Sequence, residues 1–228
     1  MFTRISSMSS PSTPTRGRPA RLDQARTIQT ALDLLDESGL DALTMRRLAD
    51  ALDVRAGALY RYFATKQDLL TAMAERMVDG VGAAAGLTGD DDWSEGTARL
   101  ARALRTALLA HRDGARVFAG THSTGPNTLG FADSLVGVLR EAGFGDSEAA
   151  RALYAVANFT VGHTLEEQAA LRPGNGRPAD AGDLREAVTA GAYPHLAATL
   201  PVLTSTDVTA HFEFGLRLLL DGLRAVRR

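Results

Sequence analysis

Thr44-Met-Arg-Arg-Leu-Ala-Asp-Ala-Leu-Asp-Val-Arg-Ala-Gly-Ala-Leu-Tyr-Arg-Tyr-Phe-Ala-Thr-Lys66 has the spacing of two short helices joined by a tight turn. Leu48, Ala49 and Leu52 recur at helical intervals and give the first helix one apolar face. Thr44 suits its N-cap, where a hydroxyl accepts from an otherwise unpaired amide. Asp53-Val54 breaks the pattern, and a second short helix then carries Leu59 and Phe63 inward. Arg55, Ala56, Gly57, Ala58, Tyr60, Arg61 and Tyr62 are left for the outer face, available to a DNA major groove. Small side chains at 56–58 let a helix approach base edges closely, while the neighbouring tyrosines and cations suit phosphate oxygens. The same pattern also fits a packing pair of helices in an all-helical protein, with the tyrosines in the core.

Outward from this stretch the helical period continues. From Asp23 to Ser38, the residues Ile28, Ala31, Leu32 and Leu35 form one apolar face that ends at Gly39. Thr65 with Asp68 three residues later predicts the start of a fourth helix. That helix carries Leu69, Leu70, Met73, Met77 and Val81 through the segment 67–82, and Gly80, Gly82 and Gly86 weaken its end. Residues 1–20 are rich in Ser, Thr and Pro, hold Arg4, Arg16 and Arg18, and contain no acidic residue. Such a segment cannot bury a core; it is expected to be a disordered basic arm. Thr15-Arg16-Gly17-Arg18-Pro19 suits a minor groove, and equally suits a solvated tail.

A chain of 228 residues without cysteine has room for one or two domains and has no disulfide, thiolate nucleophile or cysteine-bound zinc. No apolar run approaches a membrane span and the N-terminus lacks a signal-peptide segment. A soluble cytoplasmic protein with no membrane partner is the expectation. The net charge of −2 is unevenly spread. Residues 1–66 carry ten Arg/Lys and seven Asp/Glu, a net of +3; residues 67–228 carry fifteen and twenty, a net of −5. A basic head on an acidic body is the electrostatic footprint of a DNA-reading protein, and an excess this small also fits ordinary surface charge.

Beyond Trp93, Leu100, Leu104 and Leu108 mark a helix from about Ser94 to Ala110. Further helices are predicted near Asp113–Ala119, Leu129–Glu141, Ser147–Leu171 and Asp207–Val226. Gly89-Asp90-Asp91-Asp92 predicts a solvated loop rather than a calcium site, since the alternation of ligands and the terminal glutamate are missing. Pro173, Gly174, Gly176, Pro178 and Gly182 predict a second loop over 172–183. The last helix is apolar on more than one face, through Phe212, Phe214, Leu216, Leu218, Leu219, Leu220 and Leu223. That suits a homodimer interface shared with the helix at 147–171, or a buried central helix in a monomer.

The motif Leu-Thr-x-Arg-x-Leu-Ala-x-x-Leu-x-Val at 43–54, followed by Leu-Tyr-x-Tyr-Phe-x-x-Lys-x-x-Leu-Leu at 59–70, resembles the DNA-binding domain of the TetR family. Asp53 departs from it, standing at a turn position where the family usually has glycine. The likeness extends to Trp93, to Arg112-Asp113-Gly114-Ala115-Arg116-Val117-Phe118-Ala119-Gly120-Thr121, to Gly143-Phe144, and to Asn158-Phe159-Thr160-Val161-Gly162-His163-Thr164-Leu165-Glu166-Glu167-Gln168. These segments are similar to the drug-binding body of the tetracycline-repressor branch. The resemblance implies an all-α fold: a helix-turn-helix head over 21–66, then a ligand-binding and dimerisation body over 67–228, with 67–82 as connector. It also implies a homodimer on a palindromic double-stranded operator. Arg46 and Arg55–Ala58 would lie near bases, with Tyr60, Tyr62 and Lys66 on phosphates, and Thr44 and Arg61 on the same DNA-binding surface. Ala56, Gly57 and Ala58 in place of polar readers imply an operator unlike the tetracycline one.

The same resemblance places a ligand site at Leu100, Leu104, Phe118, Thr121, His122, Leu135, Asn158, Phe159 and Glu166. Phe118 stands where the branch has a magnesium-ligating histidine. Leu100 and Leu135 stand where it has a drug-contacting asparagine and glutamine, His122 replaces an arginine, and Gly82 a histidine. Thr121 and Glu166 match. Such a set implies a bulky hydrophobic inducer, an antibiotic or polyketide, in place of magnesium–tetracycline, with an efflux or resistance gene under control. A regulator of the same fold sensing a metabolite or signalling lactone and controlling biosynthesis genes fits equally. The five histidines have no metal-ligand spacing, so neither metal nor cofactor is expected. No nucleophile–His–acid set or Gly-rich phosphate loop points to an enzyme.

Overall fold

The computed structural model describes residues 23–86, 92–170 and 181–227. The expected basic arm over 1–20 and most of the Gly89–Asp92 loop lie outside the described residues. Within them the chain forms twelve helices and no strand. The head comprises α1 (Gln24–Ser38), α2 (Met45–Ala51), α3 (Ala56–Leu59) and α4 (Lys66–Met77). Asp23 caps α1, Thr44 Oγ1 accepts from Arg47 N at 3.1 Å at the start of α2, and Thr65 with Asp68 forms a reciprocal capping box on α4. Asp53 takes the left-handed conformation, φ +53, that its place in the turn requires. Leu32, Leu35, Leu48, Leu59, Phe63, Leu69 and Met73 close one apolar core between these helices. Full burial of each such leucine stabilises the head by about 2 kcal/mol.

A continuous connector helix to residue 82 does not form. α4 stops at Met77, Gly80 adopts φ +74, and a short α5 (Val81–Ala84) resumes beyond it. Glycine reaches that backbone conformation without the Cβ clash that other residues meet, so the break falls there. The break coincides with a change of core: Met77 packs in the head, Val78 and Val81 in the body.

The body is built from α6 (Trp93–Leu109), α7 (Gly114–Ala119), α8 (Pro126–Glu141), α9 (Asp146–Ala170) and α12 (Val208–Val226). Helix α8 starts three residues earlier than the apolar period indicated, because Pro126 occupies its first turn, where a missing amide costs nothing. Leu100, Leu104 and Leu108 of α6 meet Leu135 and Leu139 of α8, Val156 of α9 and Phe212 and Leu216 of α12 in a second core. Two further helices, α10 (Ala181–Ala190) and α11 (Pro194–Leu203), follow the segment 171–180. Of the loop expected over 172–183, residues 181–183 belong to α10, and 172–180 lie outside the described residues. The two helices pack on each other, with Val188 buried and none of α11 buried in the single chain. Among the described residues no helix is long and apolar enough to cross a membrane.

Candidate functional site

The head presents its polar face on α2, α3 and the turn after them. Thr44, Arg46, Arg55, Gly57, Tyr60, Arg61 and Tyr62 are exposed, with Ala56, Ala58 and Lys66 half-buried. Tyr60 and Tyr62, at 50% and 43% exposure, are outside the core, which decides against the packing reading of these rings. Leu59 and Phe63 are buried and anchor α3, which leaves Gly57 exposed and Ala58 half-exposed, while Ala56 packs partly on the head core. Arg47 is turned back to Glu37 at 3.3 Å, which leaves Arg46 as the outward cation of α2. Short side chains flanked by cations and phenols can meet base edges and phosphates together.

Head and body are joined through α7. Val117 packs in the head core and Ala115 in the body core, while the half-buried Phe118 touches both. Arg116 grips Asp41 of the head with two bonds, 2.9 and 2.7 Å, and this hydrogen-bonded carboxylate raises the guanidinium pKa above its ordinary value. Asp113 accepts from the Leu40 amide at 2.9 Å; Asp36 meets His111 Nδ1 at 3.0 Å and the Arg112 amide at 2.9 Å. Behind this turn Gln168 of α9 is fully used: Oε1 accepts from Ala115 N, and Nε2 donates to the Leu108 and His111 carbonyls.

Of the nine positions singled out for a ligand, Leu100, Leu104 and Leu135 belong to the body core, and Phe118 and Phe159 pack against it. Leu100, Leu104 and Leu135 are fully buried and adjoin one another across α6 and α8. Phe118 lies at the head–body junction, and the Thr121 hydroxyl donates to its carbonyl at 2.9 Å. Phe159 stacks on Phe212 with centroids 5.5 Å apart. His122, Asn158 and Glu166 are exposed in the single chain. Asn158 and Glu166 lie on the α9 face that also shows Tyr154, away from the face buried through Val156, Thr160 and Thr164. A groove of about 560 Å³ opens instead on the other side of α6, between Met77, Val81, Arg99, Ala103, Ala107 and His111. None of the nine residues lines it. Its walls come from outward positions of α6 and from the end of α4 and α5, which carry no sequence signal for a ligand site.

The relationship to known proteins follows from both parts of the chain. Residues 28–73 match the model for bacterial regulatory proteins of the tetR family, and residues 85–227 match that for the tetracyclin repressor-like C-terminal domain. The chain belongs to the TetR family. Its members are DNA-binding transcription regulators rather than enzymes. A TetR-family relative, the class A tetracycline repressor protein from transposon 1721 of Escherichia coli, is 41% identical over 89% of this chain and 91% of its own length. A possible TetR family transcriptional regulator from Streptomyces coelicolor A3(2), known as a crystal structure, is 85% identical, with a TM-score of 0.85 over 90% of this chain and all of its own. The TetR family protein ActR of Streptomyces coelicolor, in complex with (S)-DNPA, is 31% identical, with a TM-score of 0.80 over 90% of this chain and 98% of its own.

Proposed function

We propose that this TetR-family regulator is a homodimeric repressor of a palindromic operator, released by a bulky hydrophobic small molecule of the antibiotic or polyketide kind, and that it controls an efflux or resistance gene. The observation that carries the reading is the pairing of Leu100 with Leu135 across α6 and α8, at zero exposure, where the tetracycline-repressor branch has an asparagine and a glutamine. Apolar side chains there favour an apolar occupant, since an unpaired polar group on the ligand would lose its hydration. Phe118, at the head–body junction, stands where the branch has a magnesium-ligating histidine. ActR, of similar fold, holds (S)-DNPA, which fits a small organic inducer for this chain.

In this reading Arg46 and Arg55–Ala58 face bases, Tyr60, Tyr62 and Lys66 hold phosphates with Thr44 and Arg61 on the same DNA-binding surface, and two heads enter successive major grooves about one helical turn apart. The homodimer forms through α9 and α12, whose outward faces carry Tyr154, Phe214 and Leu218. In that dimer Asn158 and Glu166, exposed on the same face of α9 as Tyr154, stand at the joint between protomers. Residues 67–82 carry the change from the body to the head over 21–66. The inducer binds the operator-incompetent arrangement more tightly, and DNA weakens inducer binding by the same factor.

The test is release of a labelled operator duplex from purified protein by two sets of compounds: aromatic polyketides, and tetracycline with magnesium. Release by the polyketide set but not by magnesium–tetracycline is the expected result. Release by magnesium–tetracycline alone would overturn the inducer class while leaving operator binding in place.

A further inference from the structure

Helix α8 starts without a cap of its own. Its N-cap residue, Gly125, offers no side chain, and the first-turn amides of any helix lack partners within it. The missing acceptor comes from the connector. Glu75 of α4 accepts from Asn127 N at 3.0 Å, Thr128 N at 3.1 Å and Ser123 Oγ at 2.7 Å, and from Thr128 Oγ1. Asn127 Nδ2 returns a bond to the Glu75 carbonyl at 2.9 Å. Gly125 makes the approach possible, since a Cβ there would run into the Glu75 side chain. Partial burial works against the charge, but the Thr128, Ser123 and amide hydrogen bonds outweigh it and hold the carboxyl below its ordinary pKa.

We propose that Glu75 is a positioning residue that couples α8 to the DNA-binding head, by capping α8 from the connector helix. The inference rests on the reading of α4 as the element that orients the head. Met73 and Met77 on the same helix are sealed in the head core, so α4 and the head move together. Leu135 and Leu139 of α8 are sealed in the body core, so α8 follows the body. Between them the bonds to one carboxylate fix the register of α4 on the first turn of α8. A shift of that turn must either drag α4 with it or leave a charged carboxylate short of donors. The second course is costly, because hydrogen bonds to a charged group are the strong ones.

The test uses the full-length dimer. Absence of cysteine lets a single Gln29→Cys, on the exposed side of α1, carry a spin label that reports the distance between heads. Glu75→Ala is expected to broaden that distance distribution without DNA and to weaken operator binding about tenfold. Thr128→Val is expected to do the same to a smaller degree, and adding it to Glu75→Ala to change nothing more, because both remove one contact set. Leu139→Ala, which lowers stability from inside the body core, is expected to leave the distribution narrow. The proposal is overturned if folded, dimeric Glu75→Ala keeps the parent distribution and affinity, or if Leu139→Ala broadens it equally. Should Glu75→Ala fail to fold, Ser123→Ala and Thr128→Val decide the matter by the same readouts. If the parent protein binds no operator while Glu75→Ala still broadens the distribution, the regulator reading fails and the coupling stands.

Discussion

Arg105 of α6 and Glu167 of α9 form a two-pronged ion pair, 2.9 and 2.8 Å, with side chains only 14% and 10% exposed. The guanidinium also lies 5.0 Å from the ring centre of Phe212, so one arginine ties α6, α9 and α12. Removing one partner of a pair this enclosed leaves the other charge short of water and of a counter-ion. Glu167→Ala is expected to cost about 3 kcal/mol in denaturant unfolding at fixed protein concentration. A loss below about 1 kcal/mol would mean that the pair behaves as a surface bridge.

The turn between α2 and α3 holds Asp53 at φ +53. Aspartate tolerates that region better than most residues but still carries some strain. Asp53→Gly should raise the unfolding free energy by about 0.5 kcal/mol, the relieved strain outweighing the extra freedom of the unfolded chain. Lower stability in the glycine variant would show that the Asp53 side chain contributes more than its conformation costs.

Acid should destabilise the protein in two steps. Burial, with the nearby Arg105 and His211 and against the opposing charge of Glu167, holds the His163 pKa below its ordinary value. The contribution of neutral His163 is therefore complete above an unfolded pKa of about 6.5 and is lost as pH falls through the folded value. Glu213, held low by the Arg102 hydrogen bond, and Glu75 contribute fully above about 4.3 and lose that contribution at lower pH. Substituting His163→Phe should flatten the upper step and leave the lower one. An unchanged upper step would assign it to another group.

On DNA, Lys66→Ala should weaken binding to operator and unrelated duplex alike and reduce the salt slope by about 1, as loss of one phosphate contact does. Arg46→Ala should instead narrow the gap between operator and unrelated duplex. Interchanged outcomes would reverse the two assignments.

Phe214 and Leu218 are each 56% exposed on the outward face of α12. Leu218→Arg would desolvate a cation in a homodimer interface and touch nothing in the core of one chain. Sedimentation should show monomers with unchanged helix content, and operator binding should fall with them. A dimer as tight as the parent would move the interface elsewhere.

Local signals in this sequence were readable because their cause is local. Thr44 and Thr65 announce helix starts through hydroxyls that reach three residues on, and Leu59 with Phe63 fixes the outward face of α3 by period alone. Glu75 gave no such signal: its partners lie about fifty residues away, at the start of a helix whose own cap position is glycine. Helix α11 lacks a local signal for another reason. Residues 194–203 are apolar almost throughout, contain Pro201 and form no amphipathic stripe, so there was no period to find. The ligand positions were partly legible. Leu100, Leu104 and Leu135 share one apolar core with Phe118 and Phe159 packed on it, but Asn158 and Glu166 face outward, which the helical period does not signal.

The central claim is sequence-specific operator binding by the homodimer. It is tested most directly by titrating the purified protein against duplex from upstream of its own gene and unrelated duplex of equal length, at two salt concentrations. The predicted result is a complex of one dimer per operator that keeps its preference when salt weakens both affinities. Equal affinity for the two duplexes, vanishing together at the higher salt, would contradict it.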